Sequence, residues 1–218
     1  MKFKAGRGLT LVVFSGFLFF AGNSLTARAQ GVAEALSVNL HSAKYFDQQD
    51  YDHLQAAIQL VETVMNSVEF KDRVLNFTYN GEKTFVQNNG LTNEQIYDLM
   101  MTGAERYPRQ TSEDHRMDFE LELYTPKWYQ SKNVIGYTNQ NVLTIWINRL
   151  IYKKTETYNI AMNLVHEWMH KMGFDHDYKN TARRPYSVPY AIGYIVRDMG
   201  AALEGVSPGN TDDSGPQD

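Results

Sequence analysis

His166-Glu167-Trp168-Met169-His170-Lys171-Met172-Gly173-Phe174-Asp175-His176 is the stretch on which the reading of the 218-residue chain turns. His166 and His170 are four residues apart, so on a helix their imidazoles leave one face a turn apart and can share a metal ion. Glu167 follows the first of them. A carboxylate there can reach a metal-bound water without ligating the metal, which makes it the natural general base. Gly173 can take the left-handed conformation that ends a helix, turning the chain back so that His176 comes toward the same ion. Three imidazole ligands leave a fourth position open, and an open position separates a catalytic zinc site from a closed structural one. With ordinary residue frequencies, these five fixed positions coincide by chance in about one chain of this size in 10⁴ to 10⁵. Zn²⁺ is the cofactor they imply.

Outward from this stretch, Ile160, Leu164, Val165, Trp168 and Met172 recur on one helical face, which predicts a helix from about 156 to 172. Trp168, Met169 and Met172 are therefore read as core. His41, His53 and His115 have no partner at ligand spacing and are assigned no role. Upstream, Leu54, Ile58, Val61, Val64, Met65 and Val68 predict one long helix from Asp50 to about Phe70. A second helix is announced by the Thr92-x-x-Gln95 capping box, with Leu91 and Ile96 as a hydrophobic staple and Gly103 as its stop.

Met117, Phe119, Leu121 and Leu123 alternate with Asp118, Glu120 and Glu122, the period of a strand. Residues 134–137 and 142–148 read as two more strands joined by Thr138-Asn139-Gln140-Asn141 in a hairpin. Downstream, Pro189 opens a last helix bearing Ile192, Ile195, Val196 and Met199, and the tail from Gly205 has the composition of a disordered segment. The expected architecture is one α+β domain over residues 30–204, with a small sheet, a zinc-binding helix and a C-terminal helix. No internal repeat is visible.

Residues 1–29 read as a signal peptide: Lys2, Lys4 and Arg7 precede an apolar run from Leu9 to Ala21, followed by Ala27-Arg28-Ala29. The run of about 13 residues is shorter than the roughly 20 a membrane-spanning helix needs, so export with cleavage after Ala29 is expected and a stable membrane anchor is not. Removal of that segment takes four of the 21 basic residues and none of the 25 acidic ones, leaving 17 against 25 and a net charge near −8. An acidic surface argues against nucleic acid or an anionic membrane as partner. The chain has no cysteine, which excludes disulfides, thiolate-held zinc and a thiol nucleophile.

The pattern His166-Glu167-x-x-His170-x-x-Gly173-x-x-His176 resembles the extended zinc motif of the metzincin clan of metallopeptidases. The resemblance implies a zincin-like fold and hydrolysis of peptide bonds in a peptide or protein substrate. It makes His166, His170 and His176 the zinc ligands, Glu167 the base and Gly173 the turn residue. One departure stands out. Metzincins place a methionine in a tight turn beneath the metal, usually as Ser-x-Met, whereas this chain has Ser187-Val188-Pro189-Tyr190. Either Pro189 takes that place, which is the favoured reading, or Met199 does, or the support is built differently. In some metzincins a tyrosine just past the turn lies near the zinc, which makes Tyr190 a candidate catalytic residue by resemblance.

Two other functions use the same residues: an exported zinc-binding or adhesive module without catalysis, and a zinc hydrolase of a non-protein amide such as cell-wall peptide. Retention of Glu167 speaks against the first. The segment 134–148 is either the edge that receives an extended peptide or an internal strand pair with no substrate contact. Asp47 and Asp50 are candidates to occupy the open metal position in a latent form, although capping of the first long helix is the expected use of Asp50.

Overall fold

The computed structural model describes residues 35–103, 114–128 and 134–207. The signal peptide expected at 1–29 and the tail beyond Ser207 lie outside these residues. The order of elements is β1 (Ser37–Lys44), α1 (Gln48–Met65), α2 (Val68–Leu75), α3 (Asn93–Met101), β2 (Arg116–Tyr124), β3 (Gly136–Tyr137), β4 (Thr144–Asn148), α4 (Arg149–Tyr152), α5 (Thr157–Lys171) and α6 (Val188–Leu203). This is a mixed α and β architecture in which helices pack against a four-stranded sheet. No described helix is long and apolar enough to cross a membrane.

The long helix expected from 50 to 70 is two helices. Asn66 ends α1, and its side-chain amide both accepts from the Leu36 N–H and donates to the Leu36 carbonyl, each at 2.8 Å. Ser67 then starts α2, its hydroxyl accepting from the Phe70 N–H. Short polar side chains thus supply backbone partners at the break, the property that favours them at helix ends over helix interiors. The N-cap of α1 is Asp47 rather than Asp50: the Asp47 carboxylate accepts from the Asp50 N–H at 2.9 Å. The capping box at Thr92 and Gln95 forms as expected.

The sheet runs β1-β2-β4-β3. Strand β2 is parallel to both β1 and β4, while β3 is antiparallel to β4 and forms the edge opposite β1. Met117, Phe119, Leu121 and Leu123 are buried in strict alternation along β2, as its sequence requires. Strand β1 was not foreseen. Its sequence Ser-Val-Asn-Leu-His-Ser-Ala-Lys starts an alternation that a register shift between Leu40 and Ser42 then breaks. The hairpin forms with shorter strands than expected, pairing Gly136 with Ile147 and Tyr137 with Trp146.

The deepest packing is between α5 and α6. Gly193 and Gly200, seven residues apart on α6, let the helices approach closely. A side chain at Gly193 would crowd Met162 of α5, and one at Gly200 would meet Leu60 of α1 at 2.8 Å and Tyr158 of α5 at 3.1 Å. Trp168, Met169, Leu164 and Val165 are fully buried here, Ile192 and Val196 with them, and Met172 is nearly so, as expected for core. Burial of each large apolar side chain contributes about 1.5–3 kcal/mol. That gain offsets the cost of the polar groups α5 also buries, namely Asn163, His166, Glu167 and Lys171.

Candidate metal centre

Helix α5 places His166 and His170 one turn apart, with their Nε2 atoms 3.2 Å from each other. The helix ends as its glycine demands. Gly173 has φ +92°, its N–H donates to the His170 carbonyl at 2.9 Å, and the Phe174 N–H donates to the Met169 carbonyl at 3.1 Å. This pair of bonds closes the helix through a left-handed residue and reverses the chain. Phe174 is 1% exposed and anchors the reversal in the core. His176 follows, its ring centroid 5.2 Å from that of His166 and 4.9 Å from that of His170. One nitrogen from each of the three rings lies within 4.8 Å of the others, a group able to hold a metal ion.

Three imidazoles are a donor set suited to a divalent transition metal, zinc among them. A tetrahedral ion bound at about 2.0–2.1 Å needs ligand nitrogens about 3.3–3.4 Å apart, close to the 3.2 Å between His166 and His170. The outward nitrogens are held as metal ligands require. His170 Nδ1 faces the Phe174 carbonyl at 2.8 Å and His176 Nδ1 faces the Asp177 carbonyl at 3.1 Å. The His166 ring bonds to the backbone of Pro189, which has only a carbonyl to offer and so accepts. Each carbonyl favours a proton on the outward nitrogen and leaves the inward one as a lone-pair donor. Burial first, and then the charges of His170, His176 and Arg184, hold His166 well below the usual imidazole range despite the Pro189 carbonyl. A neutral imidazole is the form that ligates metal.

The loop after His176 is clipped to itself. The Asp177 carboxylate accepts from Arg183 Nε at 2.8 Å and Nη2 at 2.7 Å, and from the Thr181 hydroxyl at 2.6 Å. Arg183 first and Thr181 next hold this carboxyl well below the usual range. Sequence reading left the stretch irregular, and the Asp-Arg pair six residues apart was its available signal.

Residues 187–190, where Pro189 was the favoured replacement for a turn methionine, pack against the triad. A single 3-10 turn, Arg184–Tyr186, precedes α6, and Val86 pins the segment, donating to the Tyr186 carbonyl and accepting from the Val188 N–H. Pro189 contributes its carbonyl to His166. The face against the rings is Tyr190, 3% exposed, its ring edge-on to His166 at 4.6 Å and to His176 at 4.8 Å. The Arg184 guanidinium lies 4.7 Å from the same ring. Met199 is nine residues further along α6, in a groove with Val64 and Leu203. Neither Arg184 nor Val86 was singled out by sequence.

Glu167 is fully buried beside His166, and its Oε1 accepts from Asn163 Nδ2 at 3.3 Å. Its charge reaches the end of β2, where burial first, then Tyr137 and then Glu167 push the Tyr124 phenol up to about 12. A cleft of about 250 Å³ opens beside the triad, lined by His170, His176 and the hairpin turn Thr138–Asn141, with Tyr137 and Tyr178.

The other sequence candidates lie apart from this group. Asp47 and Asp50 pair with Lys153 Nζ at 3.2 and 3.4 Å, so the use of either as a latency ligand gains no support. His53 packs on Tyr152, His115 Nδ1 faces the Met101 carbonyl at 2.7 Å, and His41 is exposed. Compared with known protein families, curated proteins and solved structures, the chain finds no match.

Proposed function

We propose that the chain is an exported, zinc-dependent endopeptidase of zincin-like fold and a divergent member of the metzincin clan. The observation that carries this reading is the convergence of three imidazole nitrogens within 4.8 Å next to a fully buried glutamate. His166, His170 and His176 would hold the ion. Zinc, when bound, supplies Lewis acidity and makes water reactive near neutral pH. Glu167 takes the proton of the attacking water on its carboxylate, and its enclosure raises the strength of that interaction. The Tyr190 hydroxyl is assigned to the oxyanion that develops during attack, a role its contact with two of the ligand rings supports.

Substrate binding is assigned to the cleft beside β3. As an edge strand, β3 can take an extended peptide by strand addition, and the polar turn Thr138–Asn141 lines the cleft next to His170 and His176. The same polar lining suits a cell-wall peptide. A buried carboxylate beside the ligands favours catalysis over a purely adhesive zinc module, which needs no base. The test is cleavage of a mixed peptide library and of cell-wall fragments by the zinc-loaded protein, with and without chelator. Cleavage of neither, by protein carrying one zinc per chain, would leave the binding-module reading.

A further inference from the structure

Asn163 is 1% exposed in the middle of α5, where an amide side chain disfavours the helix relative to alanine and is costly to bury. Its compensation is specific. One turn along the same face, Glu167 is fully buried, and Asn163 Nδ2 donates to Glu167 Oε1 at 3.3 Å. The other end of the amide lies against the sheet: a side-chain carbon at Gly136 of β3 would stand 2.5 Å from Asn163 Oδ1 and 3.1 Å from the Trp146 carbonyl oxygen. Only glycine leaves room for the amide at that point. Gly136 of the edge strand thus borders Asn163, and Asn163 bonds Glu167.

We infer that Asn163 is a positioning residue for Glu167, and that Gly136 of the edge strand leaves the space the amide needs to hold the carboxylate. The inference rests on the reading of Glu167 as the base. A carboxylate one bond longer than aspartate has a rotatable terminus, and a buried donor to one oxygen selects a single rotamer before substrate arrives. The edge strand assigned to substrate is thereby in steric contact with the group that orients the base.

Two experiments on the full chain separate this inference from the function it serves. The first uses zinc-free protein and needs no activity: urea unfolding of the native chain, Asn163→Leu, Glu167→Leu and the double variant. A charge-assisted hydrogen bond makes the double variant's unfolding constant depart about tenfold from the product of the single effects. Additive effects overturn the inference. The second uses zinc-loaded protein. Asn163→Leu keeps the side-chain volume but removes the donor, so kcat falls about 10- to 100-fold, with KM and zinc content within about twofold of native. Gly136→Ala lowers kcat similarly in the native background and much less in Asn163→Ala, because the crowded amide is gone. An Asn163→Leu variant with native kcat overturns the positioning role. If the native chain cleaves nothing, the endopeptidase reading falls, and the unfolding cycle alone decides whether Asn163 holds Glu167.

Discussion

At the start of α1, Asp47 and Asp50 face Lys153; at the end of α5, His166, His170 and His176 face one another. The first cluster pairs opposite charges on half-exposed side chains, apart from the buried Asp50, and its attraction is satisfied within the chain. The second gathers three groups of one kind under cover, where burial and then the neighbouring rings and Arg184 oppose a charge on His166. An ion pair needs nothing further. A ring of lone pairs is complementary to a cation, and burial without one spends packing energy on groups that do not attract each other.

The sharpest way to break this contrast is to remove one member from each cluster. His166→Ala, His170→Ala or His176→Ala takes zinc content from about one per chain to near zero, read by elemental analysis after dialysis. Lys153→Ala leaves it at the native level. The same split appears in thermal stability, because an ion at 100 times its dissociation constant stabilises the fold by about 2.7 kcal/mol. Zinc should raise the melting temperature of Lys153→Ala as it does that of the native chain, and leave the histidine variants unmoved. Native zinc content in any histidine variant would break the three-ligand assignment.

Next in size is Glu167→Gln, which keeps shape and burial but cannot accept a proton near neutral pH. Turnover falls about 10²- to 10⁴-fold with zinc content unchanged. Near-native cleavage by this variant would assign the proton to another group.

How far the two clusters were legible in sequence differs for a physical reason. The triad is local: 166, 170, 173 and 176 act through helix periodicity and one positive φ, so eleven residues specify it. Its supports are not local. The Val86 bridge to residues 186–188 spans a hundred positions, and Gly136 meets Asn163 across the gap between sheet and helix. No spacing rule announces either. The Asp47–Lys153 pair is likewise distant, which is why Asp47 could be weighed as a metal ligand from sequence. Strand β2 was readable because its own side chains alternate without a break, whereas β1 hid behind its own bulge.

A smaller effect concerns Tyr190, whose ring and hydroxyl can be separated. Tyr190→Leu removes the ring that lies against His166 and His176, and zinc affinity falls about tenfold, in line with other supports of metal ligands. Tyr190→Phe keeps the ring, so affinity stays native while kcat falls and KM does not, if the phenol meets charge that develops only in the transition state. A native kcat in Tyr190→Phe, with weakened zinc in Tyr190→Leu, would make the residue a floor for the histidines and nothing more.

The smallest difference between the clusters is in pH, and its sign follows from where each group sits folded and unfolded. His166 is held below the unfolded imidazole value of about 6.5, chiefly by burial and then by the neighbouring histidines and Arg184. Between those two values the unfolded chain binds the extra proton, so zinc-free stability is complete above about 6.5 and declines as pH falls below it. Asp47 is held below the unfolded carboxyl value of about 3.9, first by the Asp50 N–H and then by Lys153. Its contribution is intact through the histidine window and is lost only as pH falls past about 3.9 toward the folded value. Urea unfolding of the zinc-free chain from pH 8 to 3 should therefore show two separate declines. His166→Phe removes most of the first and spares the second. Asp47→Asn, which can still cap α1, spares the first and makes the second shallower, the remainder being the share of Asp177, held down by Arg183 and Thr181. Zinc deepens the first decline alone, because protons then displace a stabilising ion as well as charge a buried ring. A zinc-free profile that is flat between pH 7 and 5 would show that His166 takes up its proton without cost, and the contrast between a finished ion pair and a cluster built for a cation would fail at its central residue.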